Sequence, residues 1–288
     1  MFDRIVVVDW SANGAPKRGA DSIWVCTFEP GAATTDVVNH PTRRQARDAL
    51  VSIASRPGRT LLGFDFPLGH PIGFAASVGL SAPAWSSVWA HLAEHVHDDE
   101  RNRNDRWSVA REWNRTLGRP HFWGAPPRHA DPDLTATKPP WTDAHLPTYR
   151  IAEARLRSRR QYPFSVWQLL GAGSVGSQAL TGIPVVHHLR HHVALRDRAR
   201  VWPFETGLVA APAMELGDAV VIAEVWPSAI PFDHVDHPVK DARQVTALVH
   251  HLGALDAADA LGPLFAPTLT ASDAAAVVAE EGWVLGLD

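Results

Sequence analysis

The stretch DRIVVVDWS, residues 3–11, decides how the rest of the chain is read. Ile5 to Val8 are β-branched throughout and too short a run for a helix of their own, which predicts a buried central strand. The run ends on Asp9, and a carboxylate at the end of a buried strand is costly unless something positive meets it. Asp also favours the turns that follow strands. Asp9 alone therefore has two readings: a turn residue, or a metal ligand or catalytic acid at the end of a core strand.

The pattern downstream bears on that choice. Residues 22–28 (SIWVCTF) and 34–39 read as two more strands joined through Pro30-Gly31, an antiparallel meander with the first. Residues 42–55 carry Ala46, Ala49, Leu50 and Ile53 at helical spacing, and 60–66 (TLLGFDF) is again an apolar strand, with Asp65 near its end before Pro67. A right-handed crossover through that helix would lay the fourth strand parallel beside the first. Asp9 and Asp65 would then share the sheet edge where open α/β sheets bind ligands. Residues 219–226 (AVVIAEVW) predict a further core strand with Glu224 near its end. A helix over 239–252 follows, with Asp241 read as its cap or as a residue at the site. In LDAADAL, residues 255–261, Asp256 and Asp259 stand three apart and would share a helical face.

Asp9, Asp65, Glu224, Asp256 and Asp259 together form a hard oxygen donor set of the kind that suits Mg²⁺ or Mn²⁺. Two such ions can clamp the attacking and leaving oxygens of a phosphodiester displacement. Singly, each acid has a plainer reading: Asp65 a turn acid, Glu224 a salt-bridged edge residue, Asp256 a helix cap. The strand–strand–strand–helix–strand order with these acids resembles the RNase H-like fold, and LDAADAL resembles the C-terminal helix motif of Holliday-junction resolvases in that superfamily. VVVDWS, GFDFPLG, AEVWPSA, DAADAL and the closing EGWVLG together resemble a family of RNase H-like nucleases of unknown function, domain of unknown function family 429. The resemblance implies an α/β fold with a mixed sheet flanked by helices, and a divalent-metal-dependent nuclease in which all five acids hold the ions. It departs at two points. Gly262-Pro263 follows DAADAL directly, where a resolvase helix continues, and residues 68–217 have no counterpart in a minimal core. That segment would be a helical and loop insertion covering the site within a single domain spanning 1–288.

The bulk properties constrain the partners. The chain has 288 residues, 45% of them hydrophobic and 20% charged, enough to bury a substantial core. The single cysteine, Cys26, excludes an internal disulfide, and with no signal peptide or membrane-length apolar run a cytoplasmic protein is expected. A net charge of −4 argues against a general nucleic-acid binder, although a local basic face is compatible with it. NGAPKRG at 13–19, a glycine loop after the first strand, makes an actin- or sugar-kinase-like phosphotransferase the runner-up, without the duplicated core such proteins carry. A non-catalytic RNase H-like scaffold that binds a protein or small molecule is the third reading. GAGSVG at 171–176 reads as a turn. The pairs His187/His191 and His188/His192 have zinc-compatible spacing but read as an exposed helix face. Arg150, Arg155, Arg157, Arg159 and Arg160 are a phosphate-facing strip or a solvated face, and most of the twelve tryptophans are expected in the core.

Overall fold

Three apolar runs pair as the meander: β1 (Arg4–Asp9) lies antiparallel to β2 (Ile23–Phe28), and β2 antiparallel to β3 (Asp36–His40). Helix α1 (Arg43–Ala54), capped by the Thr42 hydroxyl accepting from the Gln45 amide, carries the chain over to β4 (Thr60–Phe64), which returns parallel to β1. The computed structural model describes every residue except 33, 141–144 and 172; part of the Pro-, Trp- and His-rich excursion and Ala172 of GAGSVG thus lie outside the described residues. After β4 come α2 (Phe74–Ser77), α3 (Ala84–His95), α4 (Arg106–Thr116), α5 (Ile151–Ser158) and α6 (Gly176–His191). Then β5 (Ala199–Val201) and β6 (Val220–Glu224) join the sheet, and α7 (Lys240–Ala257) and α8 (Ala271–Ala276) close the order. The sheet runs β3-β2-β1-β4-β6-β5. This is the α/β class with a mixed sheet that the sequence predicts.

Strand alternation sorts the core into two layers. Val6, Val8, Leu62, Phe64 and Ile222 face α1, α3, α4 and α6, while Ile5, Val7, Leu61, Val221 and Ala223 face α5 and α7. Helix α6 reaches the sheet because Gly182 has no side chain: a Cβ there would stand 2.2 Å from the Phe66 ring. The segment 68–217 therefore supplies a strand, β5, and most of the layer that α1 shares with α3, α4 and α6. Six tryptophans, Trp10, Trp89, Trp113, Trp167, Trp202 and Trp283, are among the largest fully buried side chains, in keeping with the expectation that most tryptophans lie in the core.

Several elements depart from expectation. Residues 164–170, which suggest a helix ahead of the GAGSVG turn, form none: the Trp123 amide donates to the Trp167 carbonyl and the Leu169 amide to the Trp123 carbonyl, which holds that stretch extended. The strand expected at 201–206 is Ala199–Val201. The closing residues 281–287, which read as a terminal strand or a docking tail, form the latter: after a π-helical turn, Val277–Glu281, a single bridge ties Val284 to Glu224 and the Leu285 amide donates to the Glu224 carbonyl. Among the described residues no helix is long and apolar enough to cross a membrane.

Candidate functional site

The register of the sheet decides which acids can meet. Val8 pairs with Phe64, and Phe64 with Glu224, so these three side chains share one face. One position further on, Asp9 and Asp65 stand side by side on the other face, with Trp24 beside Asp9 and Val225 beside Asp65. A shift of one residue along a strand reverses the face. Glu224 therefore leaves its strand on the opposite face from the two aspartates, although its charge still reaches Asp65.

Asp9 and Asp65 lie at the floor of a cavity of about 720 Å³ at the carboxyl ends of the parallel strands. Its walls come from both layers: Arg106 at the start of α4, Ser177 and Gln178 in the first turn of α6, and Asp241 and Gln244 in the first turns of α7. The Trp10 amide donates to Asp65 Oδ1 at 2.7 Å, and Gln178 Nε2 donates to the Trp10 carbonyl at 2.5 Å, which fixes the chain between the two aspartates. Asp241 does not cap α7, whose cap position is Val239; its Oδ2 instead accepts the Asp21 amide at 2.7 Å across the cavity rim. Asp241 is thus the site residue that the sequence marked only as one of two alternatives.

The electrostatics of the floor are unbalanced. Burial, then the neighbouring Asp65, Asp241 and Asp21, push the Asp9 carboxyl well above the usual range. Burial raises Asp65 to about 7 against the pull of the Trp10 amide, with Asp241 and Glu224 adding to the rise. Close like charges disfavour joint ionisation, so this pair favours a proton or a cation. Among the described residues no protein group donates to the Asp9 carboxylate, whereas that of Asp65 is met by the Trp10 amide and by its own.

The remaining acids are structural in contrast. Both Glu224 oxygens are taken by the fully buried Arg150, from Nη2 to Oε1 at 2.6 Å and from Nη1 to Oε2 at 2.8 Å, and the Leu68 amide adds a third bond. Burial nonetheless raises the Glu224 carboxyl, outweighing Arg150. Glu153 holds the same guanidinium. Asp256 sits at the other end of α7, fifteen residues from Asp241 and so about 22 Å along the helix. There it binds the Met1 amino group at 2.8 Å and the Phe2 amide at 2.8 Å, at the start of β1 and not its end. Asp259 follows the helix in a left-handed conformation (φ 56°), which removes the shared face expected of LDAADAL. The structure thus joins Asp9 and Asp65 and adds Asp241, and it does not bring Glu224, Asp256 or Asp259 to them. Among the described residues no three His, Cys, Asp or Glu side chains are grouped closely enough to hold a metal ion.

Other features settle likewise. Arg150 belongs to the buried cluster, while Arg155 donates to the Thr268 carbonyl and Arg157 lies over Tyr149 and Tyr162, so the strip does not face the cavity as a unit. EGWVLG is a clasp. Glu280 accepts the Gly73 and Ala75 amides, and Glu281 those of Ile72 and Ile151. GFDFPLG closes on it so tightly that a Cβ on Gly69 would stand 2.2 Å from the Glu280 carbonyl oxygen. His187 and His191 stack on one another, and His191 Nδ1 contacts the His187 carbonyl. No family model, curated protein or solved structure matches the chain.

Proposed function

We propose that the protein is an RNase H-like phosphodiester hydrolase dependent on Mg²⁺ or Mn²⁺ and acting on nucleic acid, in keeping with the resemblance to domain of unknown function family 429. The observation that carries this reading is the pair Asp9 and Asp65, side by side on adjacent parallel strands at the floor of a large cavity, with Asp9 given no donor by any described residue. The order β3-β2-β1-β4, with a helix crossing between the meander and β4, supports the RNase H-like assignment.

The donor chemistry fits a hard cation. Mg²⁺ is commonly held by one or two carboxylates and otherwise by water and phosphate, so a third protein ligand is not required. Asp9 and Asp65 would hold the ion, with Asp241 close enough to add charge. When bound, such an ion activates water and neutralises charge on a phosphodiester. The chain's own share is orientation: the Trp10 amide fixes Asp65 Oδ1, and Gln178 fixes Trp10.

The test is cleavage of end-labelled single- and double-stranded DNA and RNA with Mn²⁺. Activity lost in Asp9→Asn, with folding intact and activity kept in Asp256→Asn, is the expected result. A non-catalytic RNase H-like scaffold is the second reading, favoured by the engagement of Glu224 with Arg150. It prevails if no substrate is cut and Mn²⁺ leaves the melting temperature unchanged.

A further inference from the structure

The wall of the cavity provided by α4 and α6 carries the opposite charge from its floor. Four arginines are buried among the described residues: Arg4, Arg43, Arg106 and Arg150. Arg4 holds Glu29, Arg43 holds Asp98, and Arg150 holds Glu153 and Glu224. Arg106 alone of these four has no carboxylate within ion-pair distance among the described residues, although only 8% of it is exposed. Its Nε donates to Ser177 Oγ at 3.2 Å and its Nη1 to Asn104 Oδ1 at 3.0 Å, both neutral acceptors, and its guanidinium lies 4.5 Å from the Trp107 ring centre. Nη2 has no protein acceptor among the described residues. Burial, and then Arg43, pull its pKa down to about 10, so the charge stands there at a cost.

That guanidinium faces the cavity beside a second electropositive feature. Helix α6 is sixteen residues long, begins at Gly176 and has no side-chain cap, and Ser174, Val175 and Ser177 line the cavity with Arg106. The Gly176 amide donates to the Gln168 carbonyl, so this helix start offers the Ser177 and Gln178 amides and the positive end of the helix dipole. An arginine fork next to such an end matches the oxygens of a phosphate group.

We propose that Arg106 and the first turn of α6 hold a phosphate group of the ligand, across the cavity from Asp9 and Asp65. This deepens the hydrolase reading by naming the part of the substrate that the wall binds, and it rests on that reading only for the identity of the whole ligand. It also offers a role for Gly173 to Gly176, which lead the chain past the cavity into α6.

The experiment is a metal-free titration in EDTA, which a lack of hydrolysis leaves untouched. Inorganic phosphate is titrated at constant ionic strength against chloride and acetate, with the melting temperature as readout. Wild type should be stabilised by phosphate more than by acetate, and Arg106→Met should lose at least about tenfold in phosphate affinity, the scale of one charge-assisted fork. Arg106→Met should also melt no lower than wild type in phosphate-free buffer, because an unpaired buried charge is removed. Equal phosphate response in the two proteins, or none in wild type, overturns the proposal. Should Arg106→Met fail to fold, tungstate soaked into wild-type crystals decides: density at the Arg106 guanidinium supports the subsite, and density only elsewhere or none overturns it.

Discussion

Replacing Asp65 by Asn should stabilise the protein above neutral pH and do progressively less as the pH falls. Burial carries this carboxyl from 3.8 to about 7. At about 1.4 kcal/mol per pH unit, the ionised folded state carries an excess cost of order 4 kcal/mol. The sign follows from proton binding. A carboxyl whose folded pKa is raised binds its proton more tightly in the folded state. It therefore costs nothing below about pH 4, where both states are protonated, and the cost grows as the pH rises through the interval up to about 7. Asn cannot ionise, yet its amide oxygen can still accept the Trp10 amide, so the local geometry is kept. The stability gap in favour of Asp65→Asn should widen by about 2.5 kcal/mol between pH 5 and pH 8. Urea unfolding of both proteins at pH 5, 6, 7 and 8 in EDTA measures it. A gap that stays flat across that range, or a wild type that is the more stable at pH 8, would refute the reasoning.

Glu224→Ala should cost about 3–5 kcal/mol in chemical denaturation, because it strips one of two carboxylates from a fully buried guanidinium. Asp256→Asn should lower stability by about 1 kcal/mol through its lost charge opposite the Met1 amino group. Neither it nor Asp259→Asn should alter cleavage, and a nuclease assay showing either to be essential would restore the resolvase-like motif. Asp241→Asn removes a like charge near Asp9, so the Asp9 carboxyl, followed by NMR titration, should ionise at lower pH than in wild type.

The meander, the crossover and the placement of Asp65 next to Asp9 were legible because each depends on local signals: β-branched runs, helical spacing and a default handedness. What the sequence did not disclose was parity. GFDF and AEVW both put an acid near a strand end, and only the register Phe64–Glu224 reveals that Glu224 is one residue early, where Arg150 and the Leu68 amide take it. LDAADAL misled for a similar reason. Its helix is real, but it is the far end of one eighteen-residue helix, and the end near the site carries Asp241. Arg106 was indistinguishable from the other arginines of a charged stretch, since its isolation from carboxylates is a property of packing.

Position at a strand end therefore separates functional from structural acids poorly, and hydrogen-bond saturation separates them better. Each structural carboxylate has both oxygens engaged: Glu224 by Arg150 and Leu68, Asp256 by the Met1 amino group and the Phe2 amide, Glu280 by Ala75 and Gly73, Glu281 by Ile72 and Ile151. Buried polar groups left without partners cost stability, so these pairings are what a core requires. Asp9 and Asp241 each keep at least one oxygen without a protein donor among the described residues, Asp65 is met only by backbone amides, and Arg106 keeps a charge without a carboxylate. The acids, the cation and the first turns of α6 and α7 all converge on the carboxyl edge of the parallel strands. A fold selected for stability alone would have paired these groups with one another or replaced them. Their separation across one cavity leaves both walls free for a ligand that carries a cation on one side and an anion on the other.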